Sequence, residues 1–430
     1  MWKMIVPDLP CSGVCVALVE RSGDAGVRRK TGATSVPTNA HVDAWLAVAL
    51  VAFSVGLGGC DSRHAGSSPD TKAAATTQGV TRLYYIAADD VEWDYAPSGK
   101  NLITGGPFEG DAAFFAAPSP MGLGRVYKKT VYREYTDDSF KTLKPRAPEW
   151  EHLGVLGPLI RAEVGDTIKV FFKNNGTRPY SVHPHGVFYE KASEGAQYDD
   201  GAGQKSTAAP GATHTYTWPV PERAGPSHGE GSSIVWMYHS HVEEEKDVNA
   251  GLIGPLLVTA RGQARPDGSP KDVDREIVAG FMEMDENNSW HFDENIKKYG
   301  VKDTKVKLMD NFADPIYIGN LKENINGFLY GNSPAIVMRK DERVRWYLFA
   351  STNFEIHAPH WHGNTVVARH MRTDVTSLLP MDMVVADMQP DNPGTWLFHC
   401  HVGPHLRAGM VTKYTVQESS ASPGGARKQP

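Results

Sequence analysis

Residues 394–416 read GTWLFHCHVGPHLRAGMVTKYTV, and this stretch decides the predicted fold. It opens as an apolar, aromatic run that ends in His399, Cys400 and His401, and a second run rich in β-branched residues follows Met410. Aromatic and β-branched residues favour strands, and successive side chains of a strand point to opposite faces. The stretch therefore predicts two strands, with the imidazoles of His399 and His401 side by side and Cys400 on the other face.

The same arrangement occurs earlier in the chain. Residues 236–258 begin WMYHSHVEEE and end AGLIGPLLV, so another aromatic strand ends in a His-X-His unit. A second pair of stretches also matches: GPLIRAEVGDTIKVFFKNN followed by YSVHPHG (157–186) parallels SPAIVMRKDERVRWYLFAST followed by HAPHWHG (333–363). Two sets of related stretches in the same order indicate an internal duplication.

Strand-like runs separated by Gly, Pro and Asp turns occupy most of the chain after residue 80, and no long amphipathic helix interrupts them. This pattern predicts an all-β protein built from sandwich or barrel domains. A polar, proline-containing linker at residues 261–274 separates the two sets of runs. We therefore predict a first domain at residues 80–262 and a second at residues 275–418, with a disordered tail at 419–430.

Composition limits the classes of function. The chain has 430 residues with 50 acidic and 44 basic side chains, a net charge of −6, which argues against a surface that binds nucleic acid. With 40% hydrophobic residues it can bury a sizeable core, which excludes disorder for most of its length.

The N-terminal segment resembles an export signal. Residues 44–59 form an uncharged apolar run that is too short for a comfortable membrane span, and basic residues lie upstream of it. The run ends in LGGC, which resembles a bacterial lipoprotein box, so we predict a leader at residues 1–60 with Cys60 as a lipid anchor. Residues 61–79 are then a flexible tether. The prediction is an exported protein, periplasmic or on the cell surface; an ordinary signal peptide or an uncleaved anchor stays an alternative.

Ten of the 17 histidines lie in four short motifs. These histidines are His183, His185, His239, His241, His357, His360, His362, His399, His401 and His405. Imidazole binds copper, zinc, nickel or iron, so the histidines alone do not identify the metal. Cys400 does, because its thiolate can join His357 and His405. With Met410 as a weak axial thioether, this is the ligand set of a blue-copper site.

On these motifs the chain resembles the multicopper oxidases over almost its whole length after residue 80. The resemblance implies two cupredoxin-like Greek-key domains and four coppers per functional unit. A type 1 copper takes single electrons from a reducing substrate, and a cluster of three coppers reduces O2 to water. By resemblance, the type 1 ligands are His357, Cys400, His405 and Met410, the type 2 ligands are His183 and His360, and the type 3 ligands are His185, His239, His241, His362, His399 and His401.

Carboxylates near the cluster are expected to orient it and to deliver protons. Glu194 follows the first motif at a place where relatives carry an acidic residue before glycine, and Asp199 and Asp200 are close rivals. The acidic residues that follow His241, up to Asp247, are expected to form a hydrophilic loop. The seven other histidines are expected to be ordinary surface or core residues.

The first domain has Ser240 where the second has Cys400, and its HPHG motif lacks the histidine that precedes HWHG by three positions. It therefore cannot build a type 1 site. Each domain supplies four of the eight cluster histidines, so a complete cluster must form where a first domain meets a second. In two-domain relatives the neighbouring subunit supplies the other half, which predicts a head-to-tail homotrimer.

The substrate is harder to predict. VYREYTDDSF (131–140) and MDENNSWHFDENIKKY (284–299) resemble the ceruloplasmin-like branch of the family, which would imply ferrous iron. Iron-oxidising relatives, however, carry an acidic residue at the position of Pro404, and Glu and His at the positions of Ile318 and Glu323. Because an iron site needs hard oxygen ligands, the sequence favours a laccase-like oxidase of phenols. Ferroxidase and cuprous oxidase stay open, the latter through Met381, Met383 and Met388.

Two other functions compete with this interpretation. A non-enzymatic copper-binding lipoprotein would bind metal without turnover, but it would have no need for an electron route through a cysteine between His399 and His401. A copper nitrite reductase also forms trimers of two cupredoxin-like domains, but the type 1 cysteine of that family lies in the first domain, whereas Cys400 lies in the second.

Overall fold

The computed structural model describes residues 79–198, 206–301, 314–351 and 355–419. All of them lie in one compact unit that begins at Ala73. The predictions for the leader, for Cys60, for nearly all of the tether and of the tail, and for Asp199 and Asp200 lie outside the described residues. Within the described ranges, no helix is long and apolar enough to cross a membrane.

The first half of the described chain contains eight strands in two four-stranded sheets. The strands are β1 (Thr81–Asp94), β2 (Val126–Tyr135), β3 (Ile160–Glu163), β4 (Thr167–Asn174), β5 (His183–Pro184), β6 (Thr213–Pro219), β7 (Ser233–His239) and β8 (Ile253–Thr259). One sheet has the order β2-β1-β4-β6 and the other has the order β3-β8-β7-β5.

The second half contains a six-stranded and a four-stranded sheet. Its strands are β9 (Arg275–Asp285), β10 (Leu321–Ile325), β11 (Ile336–Arg339), β12 (Val344–Ala350), β13 (Pro359–Trp361), β14 (Val366–Ala368), β15 (Met371–Thr373), β16 (Met383–Met388), β17 (Gly394–Cys400) and β18 (Val411–Gln417). The sheet orders are β10-β9-β12-β16-β14-β15 and β11-β18-β17-β13. The all-β prediction is confirmed, and the bounds of the two predicted domains enclose the strands of the two halves.

The strands form where the sequence alternates. In β4 every second residue is buried, so Ile168, Val170 and Phe172 enter the core while the residues between them face outward. Strand β12 is buried along its whole length because it lies inside the six-stranded sheet. Each half has its own hydrophobic core, one around Trp218 and one around Trp346.

A third core joins the two halves. It contains Tyr127 and Val131 of β2 together with Val278 and Met282 of β9 and residues of β12. Residues of both halves bury these side chains, so the two halves pack on one another as parts of one unit.

Short helices connect the strands. They are α1 (Asp111–Ala116), α2 (Glu244–Ala250), α3 (Phe292–Tyr299), α4 (Pro315–Gly319) and α5 (Gly403–Ala408), with 3-10 turns at Pro148–Leu153, Lys191–Ser193, Glu222–Ala224 and Glu286–Asn288. Helices α2 and α5 occupy equivalent places, each after a His-X-His unit. Both end at a glycine with positive φ, Gly251 (120°) and Gly409 (116°), which turns the chain into the next strand.

Buried charges also cross the junction of the halves. Lys129 of β2 is fully buried, pairs with Glu286, and donates a hydrogen bond to the carbonyl of Asn249 at 2.8 Å. Nearby, the Nζ atom of Lys322 on β10 donates to the carbonyl oxygen of Phe115 at 2.7 Å and to that of Gly319 at 2.6 Å. Burial lowers the pKa of Lys322 to about 7.

Candidate metal centres

The strand register brings the predicted histidines together in two places. In the first half His183 of β5 lies opposite His239 of β7, and in the second half His360 of β13 lies opposite His399 of β17. Because side chains i and i+2 of a strand share a face, each pairing gathers four imidazoles. We call His183, His185, His239 and His241 the first half-site, and His360, His362, His399 and His401 the second half-site.

The two half-sites have nearly the same geometry. The Nε2 atoms of His185 and His239 are 3.1 Å apart, and those of His362 and His399 are 3.0 Å apart. In each half-site the candidate ligand atoms of three histidines lie within 4.8 Å of one another. Such convergence of imidazole nitrogens is typical of a metal site.

Backbone carbonyls orient four of these rings. Because a carbonyl oxygen only accepts, the ring Nδ1–H is the donor, which leaves Nε2 free to bind a metal. The Nδ1 donors and their acceptors are His183 to Glu194 (2.6 Å), His239 to Ser240 (3.0 Å), His360 to Asp374 (2.8 Å) and His399 to Cys400 (2.8 Å).

Several of the rings are held in the neutral form that binds metals. Burial, together with the neighbouring rings of His183 and His241, lowers the pKa of His185 to about 4. Burial also lowers the pKa of His239 and His399. Neutral imidazoles are the ligands that a metal needs, so His185, His239 and His399 do not have to lose protons to bind one at neutral pH.

A third group of donors has different chemistry. The Nδ1 atoms of His357 and His405 are 3.2 Å apart, and the Sγ atom of Cys400 is 3.6 Å from Nδ1 of His405. All three side chains are buried, and Met410 is buried with them. The backbone N–H of Ala358 donates to Sγ of Cys400 at 3.3 Å. The structure therefore brings together the residues predicted to bind the type 1 copper.

Cys400 connects this group to the second half-site. It follows His399 directly on β17 and precedes His401, and its thiol lies in the core while His401 is exposed. Burial raises the pKa of the Cys400 thiol to about 11, so the thiolate forms only with a cation to stabilise it. A metal bound by Cys400 would therefore have a ligand adjacent in the chain to His399 and His401, which are candidate ligands of a metal in the second half-site.

The equivalent place in the first half contains no metal ligands of this kind. The hydroxyl of Ser240 donates to Asp247 at 2.6 Å, and the indole N–H of Trp290 donates to the same carboxylate at 2.8 Å. The backbone N–H groups of Val242 and Glu243 also donate to it, at 3.3 and 3.2 Å. Asp247 is 1% exposed, so the expectation that it belongs to a hydrophilic loop is wrong.

Glu244 was also expected in that loop, but it contacts the first half-site. Its carboxylate oxygens lie 3.4 Å from Nε2 of His241 and 3.8 Å from Nε2 of His239. The sequence contained no signal for this contact, because three consecutive glutamates follow the motif and only the start of α2 decides which one turns back.

Glu194, the predicted acid, is placed close to the first half-site through its backbone. Its carbonyl oxygen accepts from His183, whereas its carboxylate accepts from Lys191 at 2.7 Å and from Tyr198 at 2.6 Å. Burial opposes ionisation of this carboxyl, but the hydrogen bonds from Lys191 and Tyr198 lower its pKa overall. A role for Glu194 in proton delivery stays a prediction.

A cluster of three glutamates lies against the outer edge of His405. The Nε2 atom of His405 is 3.4 Å from Oε2 of Glu355 and 3.7 Å from Oε1 of Glu323. Glu283 lies opposite Glu323 in the pairing of β9 with β10. Burial raises the pKa of Glu283 to about 7, and burial with the neighbouring Glu283 raises that of Glu323 well above its usual value. The Oε2 atom of Glu323 is buried without a hydrogen-bond partner.

Sequence reasoning singled out only Glu323 of this cluster. Glu283 lies 40 residues earlier in the chain and Glu355 lies 32 residues later, and the two come together only through the β9–β10 pairing and the segment before His357. A buried carboxylate oxygen without a partner is unusual, and a bound cation is one group that could satisfy it.

Large apolar side chains are exposed beside both half-sites. Phe188 (47% exposed) and Tyr198 (44%) lie near the first, and Val375 (38%) is bridged to His360 of the second. His241 itself is 38% exposed. Among the described residues, no ring contact joins a histidine of one half-site to a histidine of the other, and each convergent group of donors comes from one half alone.

Two protein-family models match the chain. Both are described as multicopper oxidase; one covers residues 153–263 and the other covers residues 301–420. The two matches include both half-sites and the Cys400 group.

Curated relatives match most of the chain. It is 42% identical to human hephaestin over 356 residues, 44% identical to human ferroxidase HEPHL1 over 345 residues, and 39% identical to human ceruloplasmin over 349 residues. These alignments cover 81%, 78% and 78% of this chain, but only 30%, 29% and 32% of the relatives. The chain thus spans about a third of the length of the curated relatives it matches.

Solved structures show the same fold at low identity. A crystal structure of a multicopper oxidase matches with a TM-score of 0.51 and 19% identity, covering 78% of this chain and 89% of that one. The blue copper oxidase from Nitrosomonas europaea matches with a TM-score of 0.50 and 18% identity, covering 78% and 86%. The cupredoxin-like fold is thereby confirmed.

Proposed function

The chain belongs to the multicopper oxidase family, and from that premise we propose that it is an enzyme that couples one-electron oxidation of a reducing substrate to the reduction of O2 to water. The observation that carries the proposal is the position of Cys400, which joins the buried group of His357 and His405 to the second half-site through adjacent residues of β17. A storage protein would not require that connection.

The donor sets fit copper. Two imidazole nitrogens, a thiolate and a buried methionine suit copper at the first place, and eight imidazoles suit the three coppers expected in a complete cluster. Bound copper would supply the one-electron chemistry and the reduction of O2. The protein orients four of the rings by their Nδ1 hydrogen bonds, lowers the pKa of buried rings such as His185 and His239, and buries the thiol away from solvent.

For the substrate, we propose a hard divalent cation, Fe(II), bound by the glutamate cluster. Carboxylates are the ligands such a cation prefers, and Glu323 and Glu355 lie within 3.7 Å of the ring of His405, where an electron enters. The sequence favoured a phenol because only Glu323 was recognised. Glu283 and Glu355 supply the missing oxygen ligands, and one of the relatives is named a ferroxidase.

A phenol is the second candidate substrate. Ile356 and Leu379 are 54% and 59% exposed and flank the segment of His357, so they offer an apolar surface to an aromatic ring.

Oxygen uptake tests the two substrates side by side. We expect Glu355→Gln and Glu283→Gln to lower kcat/KM for Fe(II) by about tenfold or more, while uptake with a methoxyphenol changes little. Glu245→Gln, an exposed glutamate on α2, is the matched control and should change neither. Equal losses with both substrates would contradict iron binding at the cluster, and no uptake with Fe(II), Cu(I) or the phenol would support the storage alternative.

We further propose that the functional unit is a head-to-tail homotrimer with three shared clusters. Each chain carries two open half-sites of four histidines, and each half-site has exposed apolar residues at its edge. A first half-site of one subunit facing a second half-site of the next is a heterologous contact, and three such contacts close a ring. Clusters of this kind would form only in the assembly.

Mixing two inactive variants tests the shared cluster. His185→Ala disables the first half-site and His362→Ala disables the second, so each variant alone should be inactive. In randomly mixed trimers about a quarter of the contacts pair two intact half-sites, and uptake should recover to about a quarter of the wild-type rate. A mixture that exchanges subunits and stays inactive, or a fully active metal-loaded monomer by light scattering, would contradict the proposal.

The proposed location is outside the cytoplasm, with the protein held at a bacterial membrane by lipid on Cys60. The run at residues 44–59 and the LGGC sequence support it. Cys60→Ser should move the protein from the membrane fraction to the soluble fraction. If the variant stays in the membrane fraction, another element anchors it.

A further inference from the structure

A cleft away from the metal centres lies between β1, β2 and the segment at residues 143–161. Its volume is about 670 Å³, within the range of roughly 300–1,000 Å³ typical of small-molecule sites. The lining includes Trp93, Trp150, Leu143 and Leu159, so much of its wall is apolar or aromatic. None of the histidines of the two half-sites or of the Cys400 group lines it.

Arg146 is the distinctive polar group of this cleft. Its Nη1 atom donates to the carbonyl oxygen of Gly154 at 2.9 Å, and its Nη2 atom donates to that of Leu156 at 2.7 Å. Both partners are neutral. In the described part of the chain, no carboxylate lies within ion-pair distance of the Arg146 guanidinium.

The other cations of the cleft are compensated. Arg161 pairs with Glu276 at 2.8 Å, Lys144 pairs with Glu134 at 2.8 Å, and Arg133 pairs with Asp89 at 3.7 Å. Arg146 therefore makes no ion pair of its own beside the apolar wall, and Glu134, which lines the same cleft and pairs with Lys144, acts on its charge from a greater distance. Burial also lowers the pKa of Arg146, which reflects the cost of holding that charge away from water.

An arginine has five N–H donors in a planar fork, and two hydrogen bonds leave part of that fork available. A carboxylate accepts from such a fork in a bidentate manner and neutralises its charge. The aromatic and aliphatic walls would bury an apolar body next to it. A ligand of this cleft is therefore expected to carry a carboxylate at one end and an apolar body at the other.

We propose that this cleft binds an organic carboxylate with an extended apolar body, with its carboxylate on Arg146 and its body against Trp93, Trp150 and Leu159. This site is separate from the proposed oxidase chemistry, so its occupancy does not depend on copper or on Fe(II).

Calorimetric titration of the metal-loaded full chain with decanoate tests the proposal. We expect saturable binding of one decanoate per chain, with 1-decanol binding at least about tenfold more weakly because it lacks the charge. Arg146→Gln should weaken decanoate binding by about tenfold or more. Arg178→Gln, which removes a guanidinium stacked on Trp290 elsewhere, is the matched control and should leave it unchanged.

Arg146 also braces the backbone at Gly154 and Leu156, so a second variant guards against misfolding. Leu143→Trp fills the cleft from its exposed rim and should abolish binding while oxygen uptake stays normal. Absence of saturable decanoate binding to the wild type, or equal affinity in the wild type and Leu143→Trp, would overturn the proposal.

Discussion

The two halves share one frame around very different sites. In the first half the N–H of Ser240 donates to the carbonyl of Leu252 at 3.1 Å, and in the second half the N–H of Cys400 donates to that of Met410 at 3.1 Å. The N–H of Ser181 donates to Oγ of Ser240, as that of Ala358 does to Sγ of Cys400. The N–H of Leu252 donates to the carbonyl of Asp247, as that of Met410 does to the carbonyl of His405, both at 3.0 Å. These contacts align four positions: Tyr180 with His357, Ser240 with Cys400, Asp247 with His405, and Leu252 with Met410.

The comparison shows that the shared frame does not by itself make the proposed blue-copper site. The proposed site depends on four side chains, and two of their counterparts in the first half, Ser240 and Asp247, form a hydrogen bond with one another instead. There a buried carboxylate, Asp247, collects donors from Ser240, from Trp290 and from the backbone. A hydrogen-bond network therefore occupies the volume that would hold the proposed metal in the second half.

The largest expected effect on activity comes from Cys400→Ser, which gives the second half the side chain that the first half has at the equivalent position, Ser240. Cys400→Ser removes the thiolate, so the blue absorption should vanish and oxygen uptake should fall to the rate measured without protein. Metal analysis should show one copper fewer per chain, because the half-site histidines are unchanged. Met388→Leu, a buried core substitution on β16, is the control. A blue Cys400→Ser protein would refute the assigned ligand set.

Removing the network of the first half should mainly affect stability. Asp247→Ala leaves the Ser240 hydroxyl, the Trp290 indole and two backbone N–H groups without their acceptor, and we expect a loss of about 3 kcal/mol in the free energy of unfolding. Urea unfolding measures it. Glu245→Ala, two residues away and exposed, should change it by less than about 0.5 kcal/mol. Equal effects would mean that the network is not what holds this region.

The free energy of unfolding should depend on pH through Lys322, which lies at the junction between the halves. Burial lowers the pKa of Lys322 to about 7, far below that of the unfolded chain, so between these values the unfolded state binds more protons and stability rises with pH. Relative to Lys322→Met, the wild type should gain about 2 kcal/mol between pH 7 and pH 9. Unfolding of both proteins at the two pH values measures the gain, and parallel pH profiles would contradict a lowered pKa.

The smallest effect is expected from the reverse exchange. Ser240→Cys weakens the hydrogen bond to Asp247 and should cost about 1 kcal/mol. No blue absorption should appear on addition of copper, because Tyr180, Asp247 and Leu252 do not supply the other ligands. A blue variant would show that the shared frame needs only a thiolate, which would break the comparison.

Much of the fold and of the metal centres was predictable. The alternating pattern of β4 and the His-X-His units at strand ends depend only on neighbouring residues, so the strands and the grouping of histidines in pairs follow from spacing. The glutamate cluster did not follow, because Glu283, Glu323 and Glu355 lie far apart in the chain and no local pattern links them. Asp247 was misplaced because a run of acidic residues usually marks an exposed loop.

The sequence by itself determined the all-β class, the duplication and the donors at the Cys400 group, since these depend on side-chain type and on short spacings along a strand. Only the tertiary structure decided which glutamates face His405, which carboxylate accepts the hydrogen bond of Ser240 in the first half, and where Arg146 lies without an ion pair. Those features depend on burial and on contacts between distant segments. A carboxylate or a guanidinium has no fixed role until the fold decides what surrounds it.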